Sequence, residues 1–432
     1  MIAFAAPAWA DDGGGFALSG TARLRYEAIA NQPRAGFNQN DDLVNLRTTL
    51  MAKYQSGPFT IGGELWDSRV YGGDKGTPIT TGEVNTLELV QAFVAVKSVV
   101  GHAKVSVQAG RFLLNIGSRR LVAADEYRNT TNGYTGLRAD VATRNGITAT
   151  AIYVLPQQRR PDDPASLRRN AFAVDREGFD LVLWGGVLAK AKAIGPLTAE
   201  ASYFHLGERD TPGHPTRDRS LDTYGGRLLR EPAAGKLDGE VEAFAQSGRV
   251  SASAAPGAAT LPVAAWFIHA AMGYSLHDAW KTRVSVQYDR ASGDGAPGTY
   301  RHFDTLYGMR RADLAPAGLY NAVGRANVST PGIRVEVAPS PRWDAFTTYE
   351  ALWLASRTDS FSTTGVRDAS GRSGGFAGHQ LDGRFRWWVR PAKLRFEMDG
   401  VLLMKGRFLE DAPNAPAHGT TAYGALNLTA SF

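Results

Sequence analysis

The sequence predicts an all-β fold: a transmembrane antiparallel β-barrel of about 18 strands (16–18), with short periplasmic turns and long extracellular loops. Three observations carry this. Apolar and polar residues alternate with period two along nearly the whole chain, and helical periodicity is scarce. Tight turns such as "RNG" at 144–146, "IGP" at 194–196 and "PA" at 391–392 alternate with long segments rich in Gly, Pro, Asp, Asn, Ser and Arg. Aromatics recur near the ends of the alternating segments, at Tyr26, Tyr54, Phe59, Tyr153, Tyr203, Tyr274 and Tyr288, as interfacial girdles require.

In order, the first strand is 18–28, where Leu18, Ala22, Leu24, Tyr26 and Ala28 oppose Thr21, Arg23, Arg25 and Glu27. The second, 43–54, sets Val44, Leu46, Leu50 and Tyr54 against Asn45, Arg47, Thr49 and Lys53. Further strands fit 58–68, 86–98, 103–112, 134–142, 146–155, 178–190, 196–205, 222–230, 237–247, 263–275 and 281–290. The last group is 319–328, 332–338, 343–356, the hairpin within 381–400, and a closing strand that ends on Phe432. Long connections are expected at 29–41, 69–83, 156–177, 206–221, 291–318, 357–378 and 406–420. No composition shift marks a linker, so 11–432 is one domain in this reading. The absence of a fixed-period repeat argues against propellers and β-helices.

The hairpin "LDGRFRWWVRPAKLRFEMDG" at 381–400 poses the question of orientation. Phe385, Trp387 and Val389 share one face, and Arg384, Arg386 and Arg390 share the other. A soluble sandwich and a membrane barrel give the same parity. Strand number, aromatic placement and the terminal Phe432 favour the barrel, with Phe385, Trp387, Phe396 and Met398 toward lipid. An arginine at the bilayer midplane would cost roughly 2–4 kcal/mol, so the charges face water. A turn centred on Pro391-Ala392 sets Arg384 opposite Asp399, Arg386 opposite Glu397 and Trp388 opposite Arg395. Such facing pairs contribute roughly 0.2–1 kcal/mol each.

Composition narrows the function. No apolar run reaches helical spanning length, which excludes a helical membrane protein. There is no cysteine, hence neither a disulfide framework nor a thiolate metal site. Of 48 basic residues only ten are lysines, at 53, 75, 97, 104, 190, 192, 236, 281, 393 and 405. Guanidinium forks grip carboxylates, sulfates and phosphates, and an arginine-rich aqueous lumen favours anions. The candidate lumen cations are Arg23, Arg25, Arg47, Lys53, Lys104, Arg111, Arg120, Arg138, Arg283, Arg384, Arg386 and Arg395. Their counter-charges are Glu27, Glu64, Asp289, Glu397 and Asp399. Such cations also pair with acids across strands and merely stiffen the wall, which is the plainer reading of any single one. Arg111 and Arg120 are expected to be unpaired and therefore to meet substrate.

At the N-terminus, "MIAFAAPAWADDGGG" ends a short apolar stretch with Ala8-Trp9-Ala10, an A-x-A cleavage pattern, before Asp11-Asp12. Residues 1–10 are thus expected to be the remnant of a secretory signal peptide whose charged start is missing.

Residues 110–128, "GRFLLNIGSRRLVAADEYR", resemble the alginate export family of bacterial outer-membrane barrels. The matching elements are Gly110-Arg111, Gly117 and Arg120-Leu121-Val122. "YDRASGD" at 288–294 with "FDTLYG" at 303–308, and the last strand, are similar to family elements too. The family's Phe-Asp-Gly element is replaced here by Tyr134-Thr135-Gly136, without the aspartate. The resemblance implies an outer-membrane channel passing an anionic, alginate-like polysaccharide or its fragments, with export the expected direction. The alternative is an anion-selective porin for uptake of small nutrients. An outer-membrane enzyme or adhesin is the third reading.

Expected partners are the anionic polysaccharide or small anions, outer-membrane lipid and lipopolysaccharide, and the barrel-assembly machinery that reads a terminal phenylalanine. A monomer is expected. Basic stretches within 159–170 fit lipopolysaccharide phosphates or the substrate, while no aromatic–basic platform points to nucleic acid. Enzyme signals are poor. "GRSGG" at 371–375 fits G-x-S-x-G but lacks a strand–turn–helix context, and the eight histidines have no zinc-ligand spacing. No cofactor is expected, beyond surface calcium at the Asp pairs 11–12, 41–42 and 162–163.

Overall fold

The computed structural model describes residues 14–295, 297–311, 313–416 and 418–432. The signal-peptide segment 1–10 and the Asp11-Asp12 pair lie outside these residues.

Eighteen strands form one closed antiparallel sheet. They are β1 (Gly15–Ala30), β2 (Asp41–Ser56), β3 (Phe59–Tyr71), β4 (Asn85–Val100), β5 (Ala103–Leu113), β6 (Gly133–Thr143), β7 (Ile147–Pro156), β8 (Leu181–Ile194) and β9 (Leu197–Glu208). The second half comprises β10 (Ser220–Arg230), β11 (Leu237–Ser251), β12 (Thr260–Ser275), β13 (Arg283–Ala291), β14 (Val328–Ser340), β15 (Trp343–Trp353), β16 (Phe376–Arg390), β17 (Leu394–Lys405) and β18 (Thr421–Ser431). Each strand pairs with its sequence neighbours, and β1 pairs with both β2 and β18. Closure leaves no free edge, which is what a sheet in hydrocarbon needs. The seam is completed by Phe432: its N–H donates to the Gly20 carbonyl at 3.1 Å and its carbonyl accepts from the Gly20 N–H at 3.2 Å. A Cβ at Gly20 would come within 2.6 Å of both the Phe432 ring and the Thr49 carbonyl, so the close approach requires glycine.

The alternation sorts the side chains as expected. In β1, Leu24 is 50% exposed on the outer wall while its neighbour Arg25 is 1% exposed inside. Phe16, Leu18 and Tyr26 share the outer face, as do Val284 and Val286 on β13 and Leu426 and Leu428 on β18. An apolar exterior around a charged interior inverts the soluble arrangement. No described helix is long and apolar enough to cross a membrane; the strands do the crossing. Tyr26, Tyr54, Phe59, Tyr153, Tyr274 and Tyr288 are exposed on the outside, near strand ends.

The segment 319–328 is not a strand until its last residue, and this corrects the expectation. Leu319, Tyr320, Ala322 and Val323 are all buried, on both parities, so no lipid-facing side exists. Asn321 and Asn327 adopt positive φ (35° and 41°), which interrupts an extended run. Conversely, residues 114–132 form a long connection: the sequence reading ended one strand at 112 and began the next at 134 but did not count the stretch between among the long loops. Long connections leave one end of the barrel and short turns the other. Much of the long-loop material folds back into the lumen. Phe303 from the 292–327 loop stacks on Phe244 and Phe267 of the wall, at ring distances of 6.4 and 5.7 Å. Phe361, Phe408 and Leu409 from later loops are fully buried as well.

Candidate transport pathway

The hairpin β16–β17 adopts the expected register: Arg384 faces Asp399, Arg386 faces Glu397, and Trp388 faces Arg395. The ion pairs do not follow that register. Arg386 and Arg384 turn to Asp344 on β15, at 2.9 and 3.6 Å, and Arg395 reaches Glu397 at 3.9 Å. Asp399 and Asp382 are instead bound by Arg311 of the 292–327 loop, at 2.7 and 2.9 Å. A loop cation has displaced the cross-strand partners.

Two inward loops are stitched together. Val122 bridges Tyr307 in parallel, the Tyr307 N–H donates to the Leu121 carbonyl at 2.9 Å, and the Met309 N–H donates to the Arg119 carbonyl at 3.0 Å. The combined body is tied to opposite walls. On one side Arg120 binds Glu242 on β11 at 2.7 Å, and also Glu240, while holding Asp313 of the partner loop at 2.7 Å. On the other, Glu27 on β1 accepts the Leu319 N–H at 3.0 Å and the Tyr423 hydroxyl at 3.0 Å. Gly318, at φ +79°, lies where a Cβ would meet the Glu27 carboxylate at 2.2 Å. A third loop joins through Ser362, whose Oγ accepts the Gly324 N–H at 2.6 Å. These contacts define a constriction made of loops.

The predicted lumen cations therefore divide by partner. Arg138 binds Asp140 at 2.7 Å, and Arg283 binds Asp238 and Glu336 at 2.5 and 2.8 Å, as charge-paired wall. Arg25 contacts Glu27 at 3.6 Å and lies 4.2 Å over the Tyr127 ring. Lys53 and Lys104 are exposed near the short-turn end. Glu64 accepts from Gln91 at 2.5 Å, and Asp289 pairs with His269 at 2.9 Å.

The expectation that Arg111 and Arg120 are unpaired fails. Arg120 is 5% exposed and bound to three carboxylates. Arg111 shares the parity of the outward Val107, opposite the buried Phe112, and binds Glu88 at 2.6 Å and Glu177 at 3.3 Å at the long-loop rim. The acids that satisfy Arg120 lie more than a hundred residues away, while Arg111 takes one acid from the neighbouring strand β4 and one from the loop before β8.

Arg23 and Arg47 carry uncompensated charge instead. Arg23 donates to the carbonyls of Glu126, Tyr127 and Arg128 and to Asn129, at 2.8–3.3 Å. Arg47 donates to the carbonyls of Glu126 and Arg128, both at 3.0 Å. Carbonyls satisfy the donors without cancelling the charge. Three further loop arginines behave similarly, and of these Arg159 lies in the basic stretch that the sequence reading singled out. Arg159 donates to the carbonyls of Thr81 and Thr131, and Arg310 to Asn321 and Thr363. Arg34 packs 4.4 Å over Phe37. Burial, and then the neighbouring Arg128, bring Arg310 down to about 9, so it still carries its proton near neutrality. Arg310 lines a cavity of about 230 Å³ with Tyr300, His302, Asp304 and Arg325. These loop arginines sit in irregular segments without periodicity. The basic stretch at 159–170 was the local signal for Arg159, and the doublet Arg310-Arg311 the one for Arg310.

His269, Asp289 and Asp313 place potential ligand atoms within 4.8 Å of one another. Arg120 and Arg325 already bind Asp313, so these donors are not those of a cation site. Ser373 of "GRSGG" is buried in a loop, bound to Asp368 at 2.8 Å, without a histidine partner among the described residues. Asp163 caps the short helix α1 (Pro164–Arg168), and Asp41 accepts from Asn38 and Thr77.

A closed barrel, apolar outside and lined by arginine, with long loops folded into the lumen, defines an outer-membrane channel. The chain belongs to the alginate export family, whose model matches residues 16–422. It is therefore a bacterial outer-membrane protein, with short turns in the periplasm and long loops outside. Its family and fold are those of channels, not enzymes. No relative among curated proteins matches the sequence. Similar solved structures include Pseudomonas aeruginosa OccK8 (OprE), at 11% identity and TM-score 0.62, covering 96% of this chain and 98% of that one. A BenF-like porin from Pseudomonas fluorescens Pf-5 gives 12% identity and TM-score 0.61, covering 96% and 98%. Pseudomonas aeruginosa OpdK with vanillate gives 11% and 0.58, covering 97% and 100%.

Proposed function

We propose that this channel passes an anionic, alginate-like polysaccharide or its fragments, in the export direction. The observation that carries the reading is uncompensated cationic charge: Arg23, Arg47, Arg159 and Arg310 face carbonyls and amides, with no carboxylate ion pair among the described residues. In a narrow aqueous path such charge lowers the barrier for anions and raises it for cations. Several spaced guanidiniums allow a carboxylate chain to be handed on by weak, successive contacts. Lys53, Lys104, Arg384, Arg386 and Arg395, on the same inner wall, extend that path toward the periplasm.

A second reading is uptake of small anionic nutrients. The packed loops favour it, because Phe303, Tyr320 and Phe361 fill space that a polymer would need. OpdK, a structure of similar fold, was solved with vanillate. The deciding experiment is a planar-bilayer measurement under a KCl gradient, with oligomannuronate and a small carboxylate added in turn. Anion-selective reversal potentials and concentration-dependent block by the oligomer are expected. Cation preference would sink the anion path altogether, while block by the small carboxylate alone would favour the second reading.

A further inference from the structure

The ten lysines are segregated along the barrel axis. Only Lys75 and Lys405 lie in the long-loop half; the other eight lie in or near the short turns. Arg144, Lys192, Lys236, Lys281 and Lys393 stand beside five different turns, spaced around a closed barrel. Lys192, Lys236, Lys281, Lys393 and Arg144 are all exposed. Exposed acids at that end are Glu231 and Asp278. Asp278 is folded onto its own turn, accepting from the Thr282 N–H at 2.8 Å and the Thr282 hydroxyl at 2.6 Å. The long-loop end is mixed: Asp74, Asp162, Asp163, Asp210, Asp218 and Asp411 are exposed there among its arginines.

We infer that the periplasmic turns form a cationic crown that captures a polyanionic chain before it enters the lumen. This rests on the reading that the channel carries an anionic polysaccharide, and it adds the side of entry. Lysine suits capture better than arginine. Its ammonium is a hydrated point charge on a flexible stem, so carboxylates are attracted but not clamped. Screening over about 8 Å at physiological ionic strength confines each charge to its own turn. A polymer spanning several turns still feels all of them at once. The arginines with fixed geometry begin only above this crown, on the lumen face at Arg384, Arg386 and Arg395. The path thus runs from mobile lysines at the rim to ordered guanidiniums inside. A small carboxylate touches one turn at a time and gains little from the ring.

The test compares the two faces of the channel in an oriented planar bilayer, with a short oligomannuronate as blocker. In the unaltered protein, capture from the periplasmic side is expected to be faster than from the outside and to slow as KCl rises. The variant R144Q/K192Q/K236Q/K281Q/K393Q is expected to lose about tenfold in periplasmic capture rate, a loss within the range of electrostatic steering. Its capture from the outside and its dwell times are expected to be unchanged. Heat-modifiable migration of the variant in gels verifies that the barrel is folded. Equal rates from the two sides in the unaltered protein, or an unchanged periplasmic rate in the variant, overturns the crown and leaves the polysaccharide reading standing. Block from neither side overturns both. A variant that loses co-sedimentation with peptidoglycan sacculi while keeping its capture rate also overturns it, and assigns the turns to the cell wall.

Discussion

Asp399 faces Arg384 across the β16–β17 hairpin but is bound by Arg311, which reaches it from the 292–327 loop at 2.7 Å. Arg311 also holds Asp382 at 2.9 Å and packs 5.0 Å over the Phe346 ring. One loop residue therefore fixes the constriction to β15, β16 and β17. Removing one member of a buried ion pair costs about 3–5 kcal/mol, because the remaining charge is left unpaired. Here that cost falls on the loop contact, since the hairpin keeps its backbone ladder. Arg311→Met is expected to raise single-channel conductance several-fold and to leave the barrel heat-modifiable. Adding Asp382→Asn and Asp399→Asn should bring conductance part of the way back. Unchanged conductance in Arg311→Met would show that the loop is held by its other contacts.

Arg120 and Asp313 join the two inward loops at 2.7 Å, and Arg120 anchors both to Glu242 on the wall. Contacting residues in one network couple by about 0.5–3 kcal/mol. Arg120→Gln and Asp313→Asn are therefore expected to be strongly non-additive in their effect on anion selectivity and on loop protection from protease. Strict additivity across the double-mutant cycle would mean that the two side chains act independently. This is also where the sequence misled. Arg120 looked available because its acidic partners at 240, 242 and 313 are more than a hundred residues away.

The wall was legible because it obeys one rule repeated in every strand. Leu24 against Arg25, and Phe385 and Trp387 against Arg384 and Arg386, can be sorted by parity alone once the solvent on each side is known. Even the hairpin register followed from its turn. The loops obey no such period. Segment 319–328 was apolar enough to pass for a strand, but its partners are loops and wall side chains inside the barrel, and packing, not alternation, sets its shape. The same gap hid Arg34, Arg310 and Arg311. Arg111 failed for another reason. Its strand and parity are clear in hindsight; Glu88 meets it from the neighbouring strand β4, but Glu177 does so only because a long loop covers that rim.

Asp175 lies in that covering loop, accepting from the Arg160 N–H at 2.9 Å and from Asn85 at 3.0 Å. Burial, and then the nearby Glu88 carboxylate, push Asp175 up to about 6. The sign follows from linkage. Between the usual carboxylate range and about 6, the folded loop holds a proton that the unfolded loop releases, so docking is stronger at low pH and weakens as pH rises. A rise of this size is on the order of 2–3 kcal/mol. The cysteine-free chain allows a single spin label through Arg169→Cys. Its mobility is expected to increase between about pH 4 and pH 6, and Asp175→Asn should flatten that change. A profile that Asp175→Asn does not alter would place the titration elsewhere.

Leu24 and Thr21 test the orientation of the wall itself. Leu24 is 50% exposed on the outer face of β1, and Thr21 sits on the inner parity, with its hydroxyl 2.9 Å from that of Thr49 on β2. An arginine facing lipid costs roughly 2–4 kcal/mol at the midplane and less near either interface. An arginine facing the aqueous lumen incurs no such transfer cost. Leu24→Arg is therefore expected to lower the denaturant midpoint for unfolding from phospholipid vesicles, by about 2 kcal/mol or more in stability. Thr21→Arg should leave that midpoint nearly unchanged and shift the reversal potential toward anions. In detergent micelles, where water reaches the belt more easily, the penalty of Leu24→Arg should shrink. If the two substitutions cost the same in vesicles, the assignment of the apolar face to lipid is wrong, because only a hydrocarbon environment on one side separates two arginines three residues apart.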